Sequence, residues 1–243
     1  MYKNKKSLAV ITARGGSKRL PKKNVRLLGA MPLIAWTMTA ALESRFLDRV
    51  ILSSDDAEII AVAREFGCEV PFVRPDSLAQ DSSTSADVLL HAIGSLEDRY
   101  DYAVLLQPTS PFRMGDDIDA AVRLCVDSGA PSVVTVQEAR EKPEWMCLLD
   151  ERGRMRFPYA PSEGQPAKKY ILNGAVYVVS TDWFERNRVF LTSETRAMGM
   201  SWERSVDIDT MEDWLLAEHI LEKRTEKQLG TVLRHASDTH LRP

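Results

Sequence analysis

The stretch Val10 to Asn24, VITARGGSKRLPKKN, gathers the residue types that a polyanion needs. An apolar, β-prone run from Leu8 to Thr12 stops abruptly at Ala13-Arg14-Gly15-Gly16-Ser17-Lys18. Two adjacent glycines can reach φ > 0 and bring bare backbone N–H groups up to a ligand. Arg14, Lys18, Arg19 and Lys22 place positive charge around them, and Ser17 adds a hydroxyl. At the end of a rigid strand this set suits a nucleoside triphosphate; the bland alternative is a solvated basic turn. GxxxxGK[ST] spacing does not occur, and GxGxxG fails because Gly15 and Gly16 are adjacent. P-loop and dinucleotide chemistry are thereby disfavoured.

A second constellation is Ser205-Val206-Asp207-Ile208-Asp209-Thr210-Met211-Glu212-Asp213. In an extended run Asp207 and Asp209 face the same side. Two carboxylates so placed repel unless a cation lies between them, and hard oxygen ligands of this kind suit Mg²⁺. Thr210 to Asp213 also has the spacing of a capping box, so metal binding and helix capping are both open, and both can hold. Gln107-Pro108-Thr109-Ser110-Pro111-Phe112-Arg113 presents polar groups on a backbone restrained by two prolines. Neither a Ser-His-Asp nor a Cys-His arrangement follows from the sequence, and Trp36 and Trp214 read as core residues.

The elements that must position these groups alternate in the α/β manner. Strands are expected at Leu8–Thr12, Arg49–Ser53, Tyr102–Leu106, Ser132–Val136 and Ile171–Val179. Helices are expected at Pro32–Glu43, Asp56–Phe66, Ser85–Leu96 and Asp116–Asp127. Such spacing implies right-handed crossovers and a largely parallel sheet covered on both faces. Ligands then bind at the carboxyl ends of the strands, where the basic loop, Ser54-Asp55-Asp56 and Gln107 to Ser110 should converge. Residues 139–170 break the rhythm and read as an inserted arm. A last helix is expected from Thr210 to about Lys227, with a polar tail over 228–243.

Bulk properties fit a single domain spanning all 243 residues. With 32 basic and 35 acidic residues the net charge is −3, so no overall field draws the chain to nucleic acid. No apolar run has the length of a membrane span. Three scattered cysteines, Cys68, Cys125 and Cys147, suit unpaired thiols in a reducing cytoplasm rather than a disulfide framework.

The basic loop resembles the opening segment of the acylneuraminate (CMP-sialic acid and related nonulosonate) cytidylyltransferases, with Ala13, Arg14, Gly16, Ser17, Lys18, Leu20, Lys23 and Asn24 in register. Thr12 stands where that family commonly has proline. Further along, Arg74-Pro75 with the serine-rich stretch to Ser85, QPTSPFR at 107–113, Asn173-Gly174-Ala175-Val176-Tyr177, and DIDTMED at 207–213 resemble that family's segments in the same order. The resemblance implies a Rossmann-like, three-layer nucleotide-diphosphosugar-transferase fold with a dimerisation arm at 139–170. It implies transfer of CMP from CTP to the anomeric hydroxyl of a nine-carbon 2-keto-3-deoxy sugar acid. The nucleotide would be held by Ala13, Arg14, Gly15, Gly16, Ser17, Lys18, Asn24, Arg74, Ser83 and Ser85, and the sugar by Gln107, Asn173 and Tyr177. Mg²⁺ would sit on Asp207 and Asp209, with Arg14, Lys18 and Asp209 closest to the chemistry. A homodimer with neither nucleic-acid nor membrane partners is implied. Sialic acid enzymes usually carry an arginine two residues before the asparagine; Ile171 stands there, leaving Lys168 or Lys169 as substitutes. An eight-carbon Kdo-type enzyme, or a non-catalytic nucleotide-binding protein of the same fold, are the other readings.

Overall fold

The computed structural model describes residues 1–158 and 168–239, with side chains described through 225. The sheet is built around β1 (Ser7–Thr12), whose alternation separates two cores. Ala9 and Ile11 pack on one face with Ile34, Met38, Ile59, Ile118 and Val122. Leu8 and Val10 pack on the other with Leu89, Ala92 and Phe184. A strand buried on both faces reads as a continuous apolar run, and that is what LAVI is.

The other sheet members are β2 (Arg49–Ser53), β3 (Tyr102–Leu106), β4 (Ser132–Glu138), β5 (Tyr170–Ser180) and β6 (Arg196–Gly199). They form one six-stranded sheet in the order β6-β4-β5-β3-β1-β2. Pairings β1–β2, β1–β3 and β4–β6 are parallel, whereas β5 runs antiparallel to both neighbours. The largely parallel three-layer expectation therefore holds, with β5 as its exception. Because Leu106 pairs with Val176 and Tyr102 with Ser180, the start of β5 lies at the carboxyl edge of β3. This reversal brings Asn173 to Tyr177 beside Gln107.

The helices are α1 (Leu33–Leu42), α2 (Ala57–Glu65), α3 (Ser85–Gly94), α4 (Gly115–Ser128), α5 (Thr181–Asn187) and α6 (Met211–Thr239). Local chemistry sets their starts. The Asp56 side chain accepts from Ile59 N at 3.0 Å, and Thr84 Oγ1 accepts from Asp87 N at 3.1 Å. Asp117 accepts from Met114 N at 3.0 Å, fixing the start of α4. Two elements, α5 and β6, have no expected counterpart. Each is short, and their cues are weak beside the packing that selects them.

The chain's end differs from the expected tail. The α6 backbone continues to Thr239, beyond the expected end near Lys227. No proline interrupts residues 211–239, and Gly230 is their one glycine, so nothing local stops the helix. Residues 240–243 of that tail lie outside the described residues.

Part of the 139–170 arm is described. It contains a turn at Pro143–Trp145 and a two-stranded ribbon of Leu148–Leu149 with Met155–Arg156, turned through Gly153 at φ +74°. Its residues 159–167 lie outside the described residues. Trp145, Leu149, Met155 and Phe157 are all more than half exposed, an apolar concentration unusual for a solvated loop. Among the described residues no helix is long and apolar enough to cross a membrane. Cys68 and Cys125 are buried, which pushes each thiol up to about 12, and Cys147 is exposed and free.

Candidate active site

Of the three loops expected to converge, the basic loop and the Gln107 turn line one cleft, whereas Ser54-Asp55-Asp56 does not line it and instead packs behind Gly15. A cleft of about 590 Å³ opens at the carboxyl edge of the sheet, and the 13–24 loop, the 74–85 segment, Gln107 to Thr109 and the two aspartates line it.

The basic loop is built differently from the expected positive-φ cradle. Neither Gly15 nor Gly16 has positive φ; Lys22 does, at 55°. Gly15 is required by space instead, since a Cβ there would lie 2.4 Å from the Asp56 carboxylate. Gly16 has open space around it, so a ligand can approach its backbone closely. Some donors are already engaged: Gly15 N donates to Asp55 Oδ1 at 3.3 Å, and Ser17 N to the Gly15 carbonyl at 2.9 Å. The asparagine at the loop's end braces it, with Asn24 Nδ2 donating to the Arg14 carbonyl at 3.1 Å. Ala13 is buried where the loop leaves the sheet, and its N–H donates to the Ser53 carbonyl at 3.1 Å.

Two cations point at one acid. Arg14 Nη1 lies 2.8 Å from Asp81 Oδ1, and Lys18 bonds the other oxygen of the same carboxylate. Lys18 first and Arg14 second hold the Asp81 carboxyl below its ordinary range. An exposed carboxylate thus occupies the charge that a phosphate group would use. Sequence reading missed Asp81, because only folding carries the 76–83 loop across to the basic loop.

Arg74 forms a fixed wall of the cleft. It is 4% exposed, its Nε donates to Ser53 Oγ at 3.0 Å, and its Nη2 bonds the Ser53 carbonyl. Burial pulls its pKa down to about 10, so it remains charged at neutral pH. Ser83 Oγ donates to the Ser77 carbonyl at 3.1 Å and accepts from Gln80 N at 3.2 Å, shaping the neighbouring loop. Ser85 begins α3 and lines the cleft beside Arg74.

The paired aspartates are positioned by their apolar neighbours. Val206 and Ile208 are buried with Leu20, Leu28, Phe112 and Trp214, so alternation turns Asp207 and Asp209 outward to the cleft. The segment is extended but lies outside the sheet, anchored through Ile208 N to the Thr109 carbonyl at 2.7 Å. The capping box also forms: Asp213 Oδ2 accepts from Thr210 N at 2.8 Å, and Asp213 N donates to Thr210 Oγ1 at 3.3 Å. Thr210 and Asp213 do the capping, and the carboxylates of Asp207 and Asp209 remain at the cleft.

Electrostatics distinguish the two. Surrounding protein raises the Asp207 carboxyl above its ordinary value, and the charge of Asp209 adds to the effect against a hydrogen bond from Thr109. Asp209 is instead paired with Lys23, whose Nζ lies 2.9 Å from Oδ1 and 2.6 Å from the Ile208 carbonyl oxygen. Lys23, nearly buried, is a site residue that motif matching placed in register without assigning it a partner.

Beyond Gln107 the cleft continues into two further chambers. One of about 520 Å³ is lined by Arg140, Asn173, Tyr177, Trp202 and Asp207; another of about 420 Å³ is lined by Tyr177, Leu172 and Phe190. Gln107 borders all three spaces. Gly174, at φ +72°, belongs to an irregularity in the β4–β5 pairing, and a Cβ there would lie 2.7 Å from Gln107 Oε1. Asn173 works inwardly: its Oδ1 accepts from Thr135 Oγ1 at 2.6 Å and from Ala175 N at 3.1 Å, and its Nδ2 donates to Ser205 Oγ at 2.9 Å. It fixes the chamber wall. Arg113, another residue without an assigned role in the sequence reading, is buried with its Nη2 on the Gln107 carbonyl; burial pulls its pKa down to about 9.

A cation-bearing loop, a buried arginine wall and an acidic pair meet at one sheet edge, an arrangement that suits a nucleotidyltransferase, the class to which the similar proteins belong. The cytidylyltransferase profile matches residues 8–146, and the chain belongs to that family. It is 38% identical over 228 residues to the CMP-N,N'-diacetyllegionaminic acid synthase of Legionella pneumophila, covering 90% of this chain and 97% of that protein. It is 32% identical to the N-acylneuraminate cytidylyltransferase of Escherichia coli, covering 92% of this chain and 54% of that one. Among solved structures, a CMP:2-keto-3-deoxy-manno-octonic acid synthetase complexed with CTP superposes with a TM-score of 0.70 at 17% identity, covering 90% and 99% of the two chains. That likeness concerns the fold.

Proposed function

We propose that this enzyme transfers CMP from CTP to the anomeric hydroxyl of a nine-carbon 2-keto-3-deoxy sugar acid, of sialic, legionaminic or pseudaminic type, in the cytoplasm. The observation that carries the reading is the continuity of the clefts. The triphosphate-sized space with its cations opens past Gln107 into a sugar-sized chamber, with Asp207 at the junction. The hydroxyl oxygen forms a bond to the α-phosphorus as the bond to pyrophosphate breaks, in line. Arg14 and Lys18 stabilise the charge that develops on the departing phosphates. Gln107 and Tyr177 hold the sugar near its attack position, on a wall that Asn173 fixes.

The residues present fit a magnesium ion. Asp207 has a raised pKa from burial and from the neighbouring carboxylate, a repulsion that a cation relieves. Mg²⁺ commonly takes one or two carboxylates plus phosphate and water, and Asp207 and Asp209 at the cleft offer two carboxylates. When bound, it would supply Lewis-acid stabilisation of the phosphates. The exposed apolar arm supports a homodimer, in which 139–170 packs against a second copy.

Pyrophosphate release from CTP with a panel of eight- and nine-carbon keto-sugar acids tests the reading. Turnover is expected with nine-carbon acids, and with CTP far above UTP, because a pocket built on one base edge leaves buried groups unpaired with another. Equal turnover with UTP would discard the pocket of Arg74 and Ser85. A preference for the eight-carbon acid would move the enzyme to the Kdo type, and release from none would leave a binding protein.

Asp81 yields a separate expectation. Its carboxylate competes with the triphosphate for Arg14 and Lys18, so Asp81→Asn should lower the KM for CTP several-fold, more so at low ionic strength. A raised KM would show that Asp81 organises the two cations for the nucleotide.

A further inference from the structure

A sugar acid carries its charge on a carboxylate, and a cleft that selects the acid must bring a cation to it. The two lysines considered for this duty are committed elsewhere: Lys168 Nζ lies 3.0 Å from Glu138, and Lys169 is bonded to Glu144. Lys23 is held by Asp209, and Arg14 and Lys18 stand at the nucleotide end of the cleft. Among the described residues, the 520 Å³ chamber has one basic side chain in its lining, Arg140.

Arg140 lies two residues beyond the end of β4. Its guanidinium carbon sits 4.5 Å from the centre of the Trp202 ring, and it makes no ion pair among the described residues. Stacking on an indole uses the face of the guanidinium and leaves its N–H edge available for a bidentate carboxylate contact. The same chamber holds Asp207 and Asp213, and its wall beside Arg140 includes Ile171 and Leu172. The aspartates repel a substrate carboxylate and the aliphatic wall offers it no charge, so the favourable position lies at Arg140.

Resting on the proposed function, we propose that Arg140, steadied by Trp202, binds the sugar carboxylate and makes the enzyme select keto-sugar acids over uncharged analogues. The contact replaces water around the carboxylate with a charge-assisted pair. It also sets which way the sugar faces, with its carboxylate turned from Asp207 toward the arm.

The test uses the full-length enzyme, CTP and the keto-sugar acid it turns over best, alongside the C1 carboxamide of that sugar. In Arg140→Met the KM for the acid should rise roughly 10- to 100-fold, the loss expected for one hydrogen-bonded charge. The KM for CTP and the Tm should stay unchanged, because the side chain is exposed. Arg140→Lys should recover part of the loss. Trp202→Leu should give an intermediate rise in sugar KM, and Trp202→Phe should stay near wild type. Wild type should strongly prefer the acid to its carboxamide, and Arg140→Met should largely lose that preference. An unchanged sugar KM in an active Arg140→Met enzyme would overturn the assignment and leave the CMP-transfer reading standing. If wild type releases no pyrophosphate with any keto-sugar acid, the functional reading fails and the assignment falls with it.

Discussion

Asp207→Asn is expected to lower turnover about 10²- to 10³-fold, the scale of losing one electrostatic stabiliser at a reacting phosphate. The variant should nevertheless fold at least as well as wild type. A carboxyl whose folded pKa is raised opposes folding above its unfolded pKa, because there the folded state favours the proton that the unfolded chain has released. Burial and then Asp209 raise the Asp207 carboxyl, so a neutral amide removes that cost at neutral pH. Added Mg²⁺ should recover part of the activity, since one ligand charge is missing while the site's shape is kept.

Asp209→Asn should behave differently, and the contrast is informative. Asp209 balances the nearly buried ammonium of Lys23, so its loss weakens that pair as well as any metal contact. Activity should fall at least as far, and Tm should also drop by about 2–4 °C, corresponding to ~1 kcal/mol in a chain of this size. Turnover and thermal melting over a magnesium series, with and without chelator, check both variants. Full activity of both at low Mg²⁺, or wild-type activity surviving exhaustive chelation, would remove the metal from the reading.

Lys18→Ala carries the second large effect. Turnover should fall about 10²- to 10³-fold with a raised KM for CTP, because the ammonium opposes charge on the departing phosphates. Tm should hardly change: the side chain is 79% exposed, and its one acidic partner, Asp81, is itself 52% exposed. Lys18→Arg should retain part of the activity by restoring charge at a slightly different place. Early melting with full activity in the folded variant would make the basic loop a structural element. Steady-state kinetics beside thermal melts separate these outcomes.

Much of this molecule is legible in its sequence, for identifiable reasons. The runs at Leu8–Thr12, Arg49–Ser53 and Tyr102–Leu106 name their strands, because a parallel strand buried on both faces has no polar side to hide. Helix starts at Asp56, Thr84 and Asp117 are written in short side chains that bond the nearest backbone N–H. The aspartate pair is equally local, since burying Val206 and Ile208 turns Asp207 and Asp209 to the opposite side. The capping alternative resolved locally too, with Thr210 and Asp213 forming the box.

What the sequence by itself determined, then, is five of the six sheet strands, the cations of the basic loop and the acidic pair, all products of contacts within a few residues. Tertiary structure alone decided which distant groups meet. The antiparallel course of β5 brought Asn173 to the Gln107 turn, and its amide then became part of the wall through Thr135 and Ser205. Asp81 crossed to Arg14 and Lys18, Lys23 reached Asp209, and Arg140 came to rest on Trp202. Local periodicity reports which face of an element is buried, whereas these pairings join residues 32 or more positions apart that carry no mark of one another. Their partners are chosen by the order in which the strands pack, and that order is a property of the assembled sheet.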